Sequence, residues 1–162
     1  MSKVPDINAS WRETFVRRYR TVDINLVAGG TGPDMRFPLL RDVGRRGLTS
    51  ISQELSAALS TSSDKSLNQS IGTFCIHDLG AYGVKSAAPV ILPPQAAALA
   101  LGAVIDTVVP AEGKKEGEAN WKVSPIMVAT LVCDHRVVDG AVAAQWLQAY
   151  KELAENPITM FL

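Results

Sequence analysis

The sequence predicts an α+β domain, with a mixed sheet covered by helices on one side. Strand-like runs of apolar and β-branched residues are mixed with helix-like segments, and the two kinds do not strictly alternate along the chain. With 162 residues, the chain has the length of one domain with a sizeable core. We therefore expect residues 1–162 to form a single domain.

The first patterned segment is aromatic. Trp11, Phe15 and Tyr19 recur every four residues, which predicts a helix face or a partly buried amphipathic segment over 8–19. Arginines fill the gaps, so a nucleic-acid surface is an alternative. The chain carries no net charge, and core packing with solvated arginines is the preferred interpretation.

The remaining elements follow from periodicity and from turn residues. Strands are predicted over 21–27, 37–41, 72–76, 87–92, 96–109 and 122–133. One helix is predicted over 49–60, with Ile51, Leu55, Ala58 and Leu59 on one face. A second is predicted over 140–153, with Val142, Trp146, Ala149 and Leu153 facing inward. Turns, loops or hairpin tips are expected at 29–33, 60–70, 80–83 and 112–118. The glycines of 29–33 favour a plain turn over a phosphate cradle, because no helix with Lys and Ser or Thr follows them.

Composition excludes several classes of partner. Sixteen basic residues balance sixteen acidic ones, so no global field favours nucleic acid or an anionic membrane. The longest apolar stretch, 87–109, is interrupted by prolines that do not suit a membrane-spanning helix. Cys75 and Cys133 are too few for a disulfide framework and indicate a reducing compartment. We expect neither a nucleic-acid nor a membrane partner.

The candidate chemistry lies in the segment from Asp134 to Gly140, between a predicted strand and a predicted helix. His135 is followed four residues later by Asp139, and a carboxylate can fix the tautomer and orientation of a histidine base. Such a base suits the deprotonation of a thiol or a hydroxyl. The alternative, which spacing alone prefers, is that the two residues merely cap the start of the helix.

The same segment, continued by residues 141–144, resembles the histidine motif of the dihydrolipoamide acyltransferases of 2-oxoacid dehydrogenase complexes. The resemblance covers nearly the whole chain, through Val4–Trp11, Val22–Asn25, Gly47–Ser52, Gly72–Phe74, Pro93–Ala96 and Glu155–Pro157. It implies a chloramphenicol acetyltransferase-like fold and a homotrimer whose active sites are shared between neighbouring subunits. Coenzyme A and dihydrolipoamide would be the substrates, and the trimers would build cubic or dodecahedral cores.

The resemblance also implies roles for individual residues. His135 would take the proton of the attacking thiol, and Asp139 would sit close behind it, paired to an arginine. The family supplies a serine hydroxyl to the tetrahedral oxyanion, and His77 stands at that serine's place in this sequence. Family domains begin well before the segment matching Val4, so the arginine and part of the substrate channel are expected to be missing. Both departures predict impaired catalysis.

Within the family, the chain most resembles the core of the non-catalytic dihydrolipoyl dehydrogenase-binding protein of pyruvate dehydrogenase complexes. That resemblance implies an assembly role in the mitochondrial matrix, on a core formed by the acetyltransferase. Upstream modules would carry a lipoyl group and bind dihydrolipoyl dehydrogenase. The competing hypothesis is an active acetyltransferase, supported by the intact His135 and Asp139.

Two further patterns concern metal binding and assembly. Cys75 and His77, with Cys133 and His135, offer the two thiols and two imidazoles that tetrahedral zinc accepts, although this spacing is unusual for zinc. Buried thiols are preferred, and no metal is expected. The apolar C-terminus, 158–162, predicts docking onto another subunit.

Overall fold

A computed structural model describes residues 1, 3–27, 37–60, 71–111 and 121–160. Nine strands are found there: β1 (Ala9–Arg12), β2 (Phe15–Arg18), β3 (Ile24–Val27), β4 (Leu39–Leu40), β5 (Phe74–Asp78), β6 (Ala97–Leu101), β7 (Ile105–Pro110), β8 (Trp121–Ile126) and β9 (Ala129–Cys133). The described helices are α1 (Leu48–Ser60) and α2 (Gly140–Glu155), with short 3-10 turns at Pro5–Ile7, Val43–Arg45, Gly80–Tyr82 and Pro157–Met160. The predictions for 29–33, 61–70 and 112–118, and for the last two residues, lie outside the described residues.

The main sheet has five strands in the order β4-β3-β5-β6-β9. The three central strands β3, β5 and β6 are parallel, and the edge strands β4 and β9 are antiparallel to their neighbours. Two hairpins, β1-β2 and β7-β8, lie outside this sheet. The predicted mixed sheet and α+β class are therefore confirmed.

One face of the main sheet carries the larger core. Phe74 and Leu99 pack there with Ile7, Val138 and Trp146, the last of which comes from α2. The Trp146 ring lies 5.5 Å from Phe74 and stacks on Tyr150 at 5.7 Å, centroid to centroid. Helix α2 thus covers this face, as its apolar periodicity predicts.

The opposite face carries a smaller cluster of Val27, Cys75 and Ala98, against which Phe37 and Ile91 pack. Successive residues of a strand point to opposite faces, so the two clusters divide β5 and β6 between them. Helix α1 has no buried residue, and its predicted apolar face is only half-buried. None of the described helices is long and apolar enough to cross a bilayer.

The helix predicted over 8–19 is wrong, because this segment forms the hairpin β1-β2. Glu13 turns the chain with a φ of 56°, and Trp11 pairs with Val16 across the strands. The Asn8 side chain donates to the carbonyls of Tyr19 and Thr21 at 3.1 and 2.9 Å, which ties the ends of the hairpin together. Core packing of the aromatic residues is only partial, since Phe15 is 58% exposed.

The strand predicted over 96–109 is divided into β6 and β7, and the one over 122–133 into β8 and β9. Gly102 lies at the division, where a Cβ atom would stand 2.1 Å from the carbonyl oxygen of Lys85. The Gly102 N–H donates to Val128, which lies at the matching division between β8 and β9. The two segments, 96–109 and 122–133, therefore leave the main sheet together and form the hairpin β7-β8.

One smaller expectation is also corrected. The segment 87–92 forms no strand, since Pro89 has no N–H to donate and Pro93 and Pro94 follow directly. In α2, Trp146 is buried and Val142 packs against the core with it, while Ala149 and Leu153 are half-buried, as Val142 is. The strands predicted over 21–27, 37–41 and 72–76 are confirmed as β3, β4 and β5, and both predicted helices from residue 49 onward are confirmed.

A buried polar network joins the start of β5 to β3 and β6. The Gly72 N–H donates to Asn25 Oδ1 at 2.6 Å, and Gln95 Nε2 donates to the same oxygen at 3.1 Å and to the Gly72 carbonyl at 3.2 Å. All three residues are buried. Buried polar groups that bond each other in this way fix one arrangement of the strands that they join.

Candidate active site

His135 lies in a tight turn that connects β9 to α2. The turn is built by Asp134, whose N–H donates to the Ala96 carbonyl at 2.8 Å and whose own carbonyl accepts from Val137 and Val138 at 2.9 and 3.0 Å. Val138 is buried in the larger core. These contacts leave His135 itself on the outside of the turn, where it is exposed.

Arg136 braces this turn from the side. Its Nε donates to Asp134 Oδ1 at 3.0 Å and its Nη2 donates to Oδ2 at 2.7 Å. Its guanidinium lies 5.5 Å from the centre of the Trp11 ring. The hydrogen bonds from Arg136 hold the pKa of the Asp134 carboxyl below its usual range. Because Trp11 belongs to β1, the turn is fixed to the hairpin β1-β2 as well as to the sheet.

Asp139 is the N-cap of α2. Its Oδ1 accepts from the Val142 N–H at 2.8 Å, and its backbone is extended, as an N-cap residue requires. The capping alternative therefore describes Asp139 in this structure. Within the described residues, the His135 imidazole has no hydrogen-bond partner, so none of the carboxylates described there orients it.

His77 lies near the end of β5, the central strand. Its Nε2 is 3.4 Å from the Sγ of Cys75, two residues earlier on the same face. Burial lowers the pKa of His77 and raises that of Cys75 to about 11. At neutral pH both groups are therefore uncharged.

A single chain does not bring His77 and His135 together. His77 is level with Ala100 of β6, which is level with Thr130 of β9. The three residues from Thr130 to Cys133 span about 10 Å along the strand, and two strand spacings add about 10 Å across the sheet. His135 lies beyond that end, so the two imidazoles sit at opposite ends of the sheet.

The proposed zinc set is not assembled within one chain. Cys133 pairs with Ala97, whereas Cys75 pairs with Ala98, so the two thiols point to opposite faces of the sheet. Burial raises the pKa of Cys133 to about 11 as well, which disfavours the thiolate that zinc needs. Among the residues that the structure describes, no three metal-binding side chains cluster.

Sequence reasoning missed two contacts at these positions. The contact between Cys75 and His77 could have been predicted from strand alternation, which puts residues i and i+2 on one face. The stacking of Arg136 on Trp11 joins segments that are distant in sequence, and no local pattern predicts it.

The mixed sheet, the turn that presents His135 and the helix capped by Asp139 define an acyltransferase-type α+β core. The family of 2-oxoacid dehydrogenases acyltransferase (catalytic domain) matches residues 1–162, and the chain belongs to it. A related protein is the mitochondrial dihydrolipoyllysine-residue acetyltransferase component of the pyruvate dehydrogenase complex of Dictyostelium discoideum. It is 40% identical over 161 residues, which cover 98% of this chain and 25% of that one. The chain thus spans about a quarter of the length of that relative.

Solved structures show the same fold. The atomic structure of the cubic core of the pyruvate dehydrogenase multienzyme complex superposes with a TM-score of 0.84, at 23% identity over 99% of this chain and 65% of that one. The dihydrolipoamide acetyltransferase of Azotobacter vinelandii superposes with a TM-score of 0.82, at 24% identity and with the same coverage. In that enzyme the roles of a serine, a histidine and an asparagine in the catalytic mechanism have been investigated. The predicted fold is therefore confirmed.

Proposed function

We propose that this chain is a trimer-forming core domain of a pyruvate dehydrogenase complex component, with an assembly role and impaired acyl transfer. The related components named above belong to pyruvate dehydrogenase complexes, and one is mitochondrial, which supports a location in the mitochondrial matrix. In the parent protein, further modules would carry the lipoyl group and bind dihydrolipoyl dehydrogenase, and the domain would join the acetyltransferase core.

The observation that carries the assembly role is the hairpin β7-β8. Val108 and Val123 pair across it and are 63% and 56% exposed, and Trp121, paired with Pro110, is 56% exposed. A two-stranded hairpin is marginally stable alone in water, and an exposed apolar patch marks a protein interface. A second copy of the chain would cover this face and stabilise the hairpin.

A shared active site gives independent support. His77 and His135 lie at opposite ends of the sheet in one chain, so chemistry that uses both requires a neighbouring subunit. In a closed ring of identical chains, each interface would join the His135 end of one subunit to the His77 end of the next. Three interfaces would then form three equivalent sites.

The impairment follows from the residue at the end of β5. In the proposed mechanism, His135 removes the proton of the coenzyme A or dihydrolipoamide thiol, and the thiolate attacks the thioester. The family's serine hydroxyl would stabilise the resulting oxyanion, and losing such a donor costs ~2.7–4 kcal/mol, or ~10²–10³ in rate. In this chain an N–H of the His77 imidazole would have to replace the hydroxyl, and it lies farther from the backbone than a serine hydroxyl does.

The assembly role is tested by a charge placed on the hairpin. Val108→Lys should convert a trimer of three times 17.4 kDa, about 52 kDa, into monomers in sedimentation, because assembly would then have to bury an unpaired ammonium group. Thr107→Lys is the matched control, since Thr107 is the neighbouring residue on the opposite face of β7. A wild-type monomer at micromolar concentration would refute the proposal.

The shared site is tested by cross-linking between chains. A chain with His77→Cys is coexpressed with a tagged chain carrying His135→Cys, and a short bismaleimide is added. Covalent dimers should form with this pair and not when Lys151→Cys, on the exposed side of α2, replaces His135→Cys. Equal yields from both pairs would exclude the shared site. Coexpressed unsubstituted chains measure the background from the native thiols.

An active acetyltransferase is the second candidate. It is favoured by the exposed His135 imidazole, which is open to a thiol, and by the name of the related acetyltransferase components. The discriminating measurement is acetyl transfer from acetyl coenzyme A to dihydrolipoamide, counting only the part that His135→Ala abolishes. Turnover at ~1–10³ per second, the usual range for enzymes, would exclude impairment and leave this candidate.

A further inference from the structure

Cys75 and His77 form a pair that the proposed chemistry does not yet use. The Cys75 side chain is fully buried, and its Sγ lies 3.4 Å from His77 Nε2, within hydrogen-bonding distance for sulfur. Both residues belong to β5, which is hydrogen-bonded on both sides by β3 and β6. The backbone that carries the pair is therefore held on both sides.

The protonation states decide which atom donates. Burial raises the pKa of the Cys75 thiol to about 11, so the sulfur keeps its proton near neutral pH. Burial lowers the pKa of His77, so its ring is neutral and has one N–H and one bare nitrogen. A bare imidazole nitrogen is a good acceptor, whereas a thiol sulfur is a weak one. The favourable arrangement is S–H donating to Nε2.

The remaining nitrogen must then carry the ring proton. With Nε2 accepting from Cys75, the neutral ring has its N–H at Nδ1. The register neighbours of His77 are Val27 on β3 and Ala100 on β6, so these strands present no carboxylate that would draw a second proton onto the ring. The ring offers a donor to any group that approaches Nδ1.

We propose that Cys75 is a positioning residue that holds His77 as the Nδ1–H tautomer, so that the ring offers an N–H donor at the position where the family resemblance implies a serine hydroxyl. This rests on the proposed acyl-transfer site for the use of the donor, but the tautomer itself does not depend on catalysis. Cys75 touches neither substrate in this scheme. It acts through His77, and impaired transfer is then residual transfer supported by this N–H.

The tautomer can be measured directly, because the chain has only two histidines. The assembled protein is labelled with ring-¹⁵N histidine, and His135→Ala assigns the remaining signals to His77. Solid-state NMR near pH 7.5 should show a protonated Nδ1 and a bare Nε2. In Cys75→Ala both nitrogens should move toward intermediate shifts, because the ring then exchanges between tautomers. Cys75→Ser keeps a donor and should restore the wild-type pattern.

Two results would overturn the proposal: a protonated Nε2 in the wild type, or no change of the His77 signals in Cys75→Ala. Sedimentation of each variant establishes that the comparison is made between intact assemblies. Either result would leave the assembly role and the shared site standing, because neither depends on the tautomer.

Acetyl transfer provides the second arm. Cys75→Ala should lower kcat by less than about tenfold with an unchanged KM, since the ring still samples the donor tautomer for part of the time. Cys75→Ser should recover the rate. If the His77 signals change as expected while His135-dependent transfer stays the same, the oxyanion role of His77 is refuted and the tautomer assignment survives.

Discussion

Replacing Asp139 separates its role as a helix cap from a role as the partner of His135. The carboxylate accepts from the Val142 N–H at 2.8 Å, and helix α2 begins at the next residue, Gly140. Asp139→Ala removes the acceptor, whereas Asp139→Asn keeps an equally good capping oxygen and removes the charge. Comparing the two variants therefore separates the contribution of the hydrogen bond from the contribution of the charge.

The expected cost follows from the geometry of the cap. Loss of an N-cap acceptor costs about 0.5–2 kcal/mol, with about 1 kcal/mol typical. The carboxylate also interacts with the helix dipole, which at an exposed position contributes about 0.3–1 kcal/mol and weakens in salt. We expect Asp139→Ala to lower the free energy of unfolding by about 1 kcal/mol at high salt, and Asp139→Asn to have little effect there.

The assay is urea unfolding in high salt at one fixed protein concentration, because assembly makes stability depend on concentration. Equal losses in the two variants would refute the capping argument, since the hydrogen bond would then contribute nothing beyond the charge. Acetyl transfer by the same proteins addresses His135. A fall in transfer with Asp139→Asn, without a loss of stability, would show that the charge acts on the base in the assembled protein.

Three further outcomes are expected. Trp146→Ala should cost about 3–5 kcal/mol, because the ring fills the core between Phe74 and Tyr150, and Trp146→Phe should cost less. Gly72→Ala should cost about 1–3 kcal/mol, since its Cβ would lie 2.4 Å from a backbone oxygen, whereas Gly44→Ala has open space. Arg136 lowers the Asp134 pKa, so the stability from this pair is complete above the unfolded-state pKa of about 3.9 and is lost as the pH falls through the lower folded-state value. Arg136→Gln should remove that part of the acid dependence in pH-dependent unfolding curves; an unchanged curve would contradict it. The packing arguments would be contradicted if Gly72→Ala and Gly44→Ala lowered the free energy of unfolding equally. They would also be contradicted if Trp146→Ala did not lower it.

Local periodicity was sufficient to predict an element correctly where that element packs against the core through one face. Helix α2 follows its apolar spacing because Val142 and Trp146 meet the sheet. The same spacing gave a wrong prediction over 8–19, where Trp11 and Phe15 lie on two strands joined by a turn at Glu13. The bonds from Asn8 to Tyr19 and Thr21 connect residues that no helical pattern relates, so tertiary contacts override the local preference there.

Strand boundaries were harder to predict than the strands themselves. Continuous apolar character carries across Gly102, so nothing in the hydrophobic pattern separates β6 from β7. The division lies at Gly102, where the Lys85 carbonyl approaches the backbone too closely for a side chain. Such an approach comes from a different segment, and the glycine alone does not reveal which neighbour needs the space.

The candidate site shows the same limit in a sharper form. The motif around His135 predicts the turn and the helix that follows it, because the contacts of Asp134 and Asp139 are local. The place of His77 in the chemistry came only from the family resemblance. The register of the strands then places the two histidines of one chain at opposite ends of the sheet, which local pattern could not reveal.

Each half of the proposed site is built within its own chain. Arg136 holds the His135 turn through Asp134 and Trp11, and Cys75 contacts His77 on a strand that is paired on both sides. Assembly would therefore join two preformed halves, which keeps the ordering cost of forming the site small. It follows that a change confined to one half should alter transfer without altering the geometry of the other. The ¹⁵N signals of His77 should accordingly be unchanged by Arg136→Gln as long as the proposed trimer is intact.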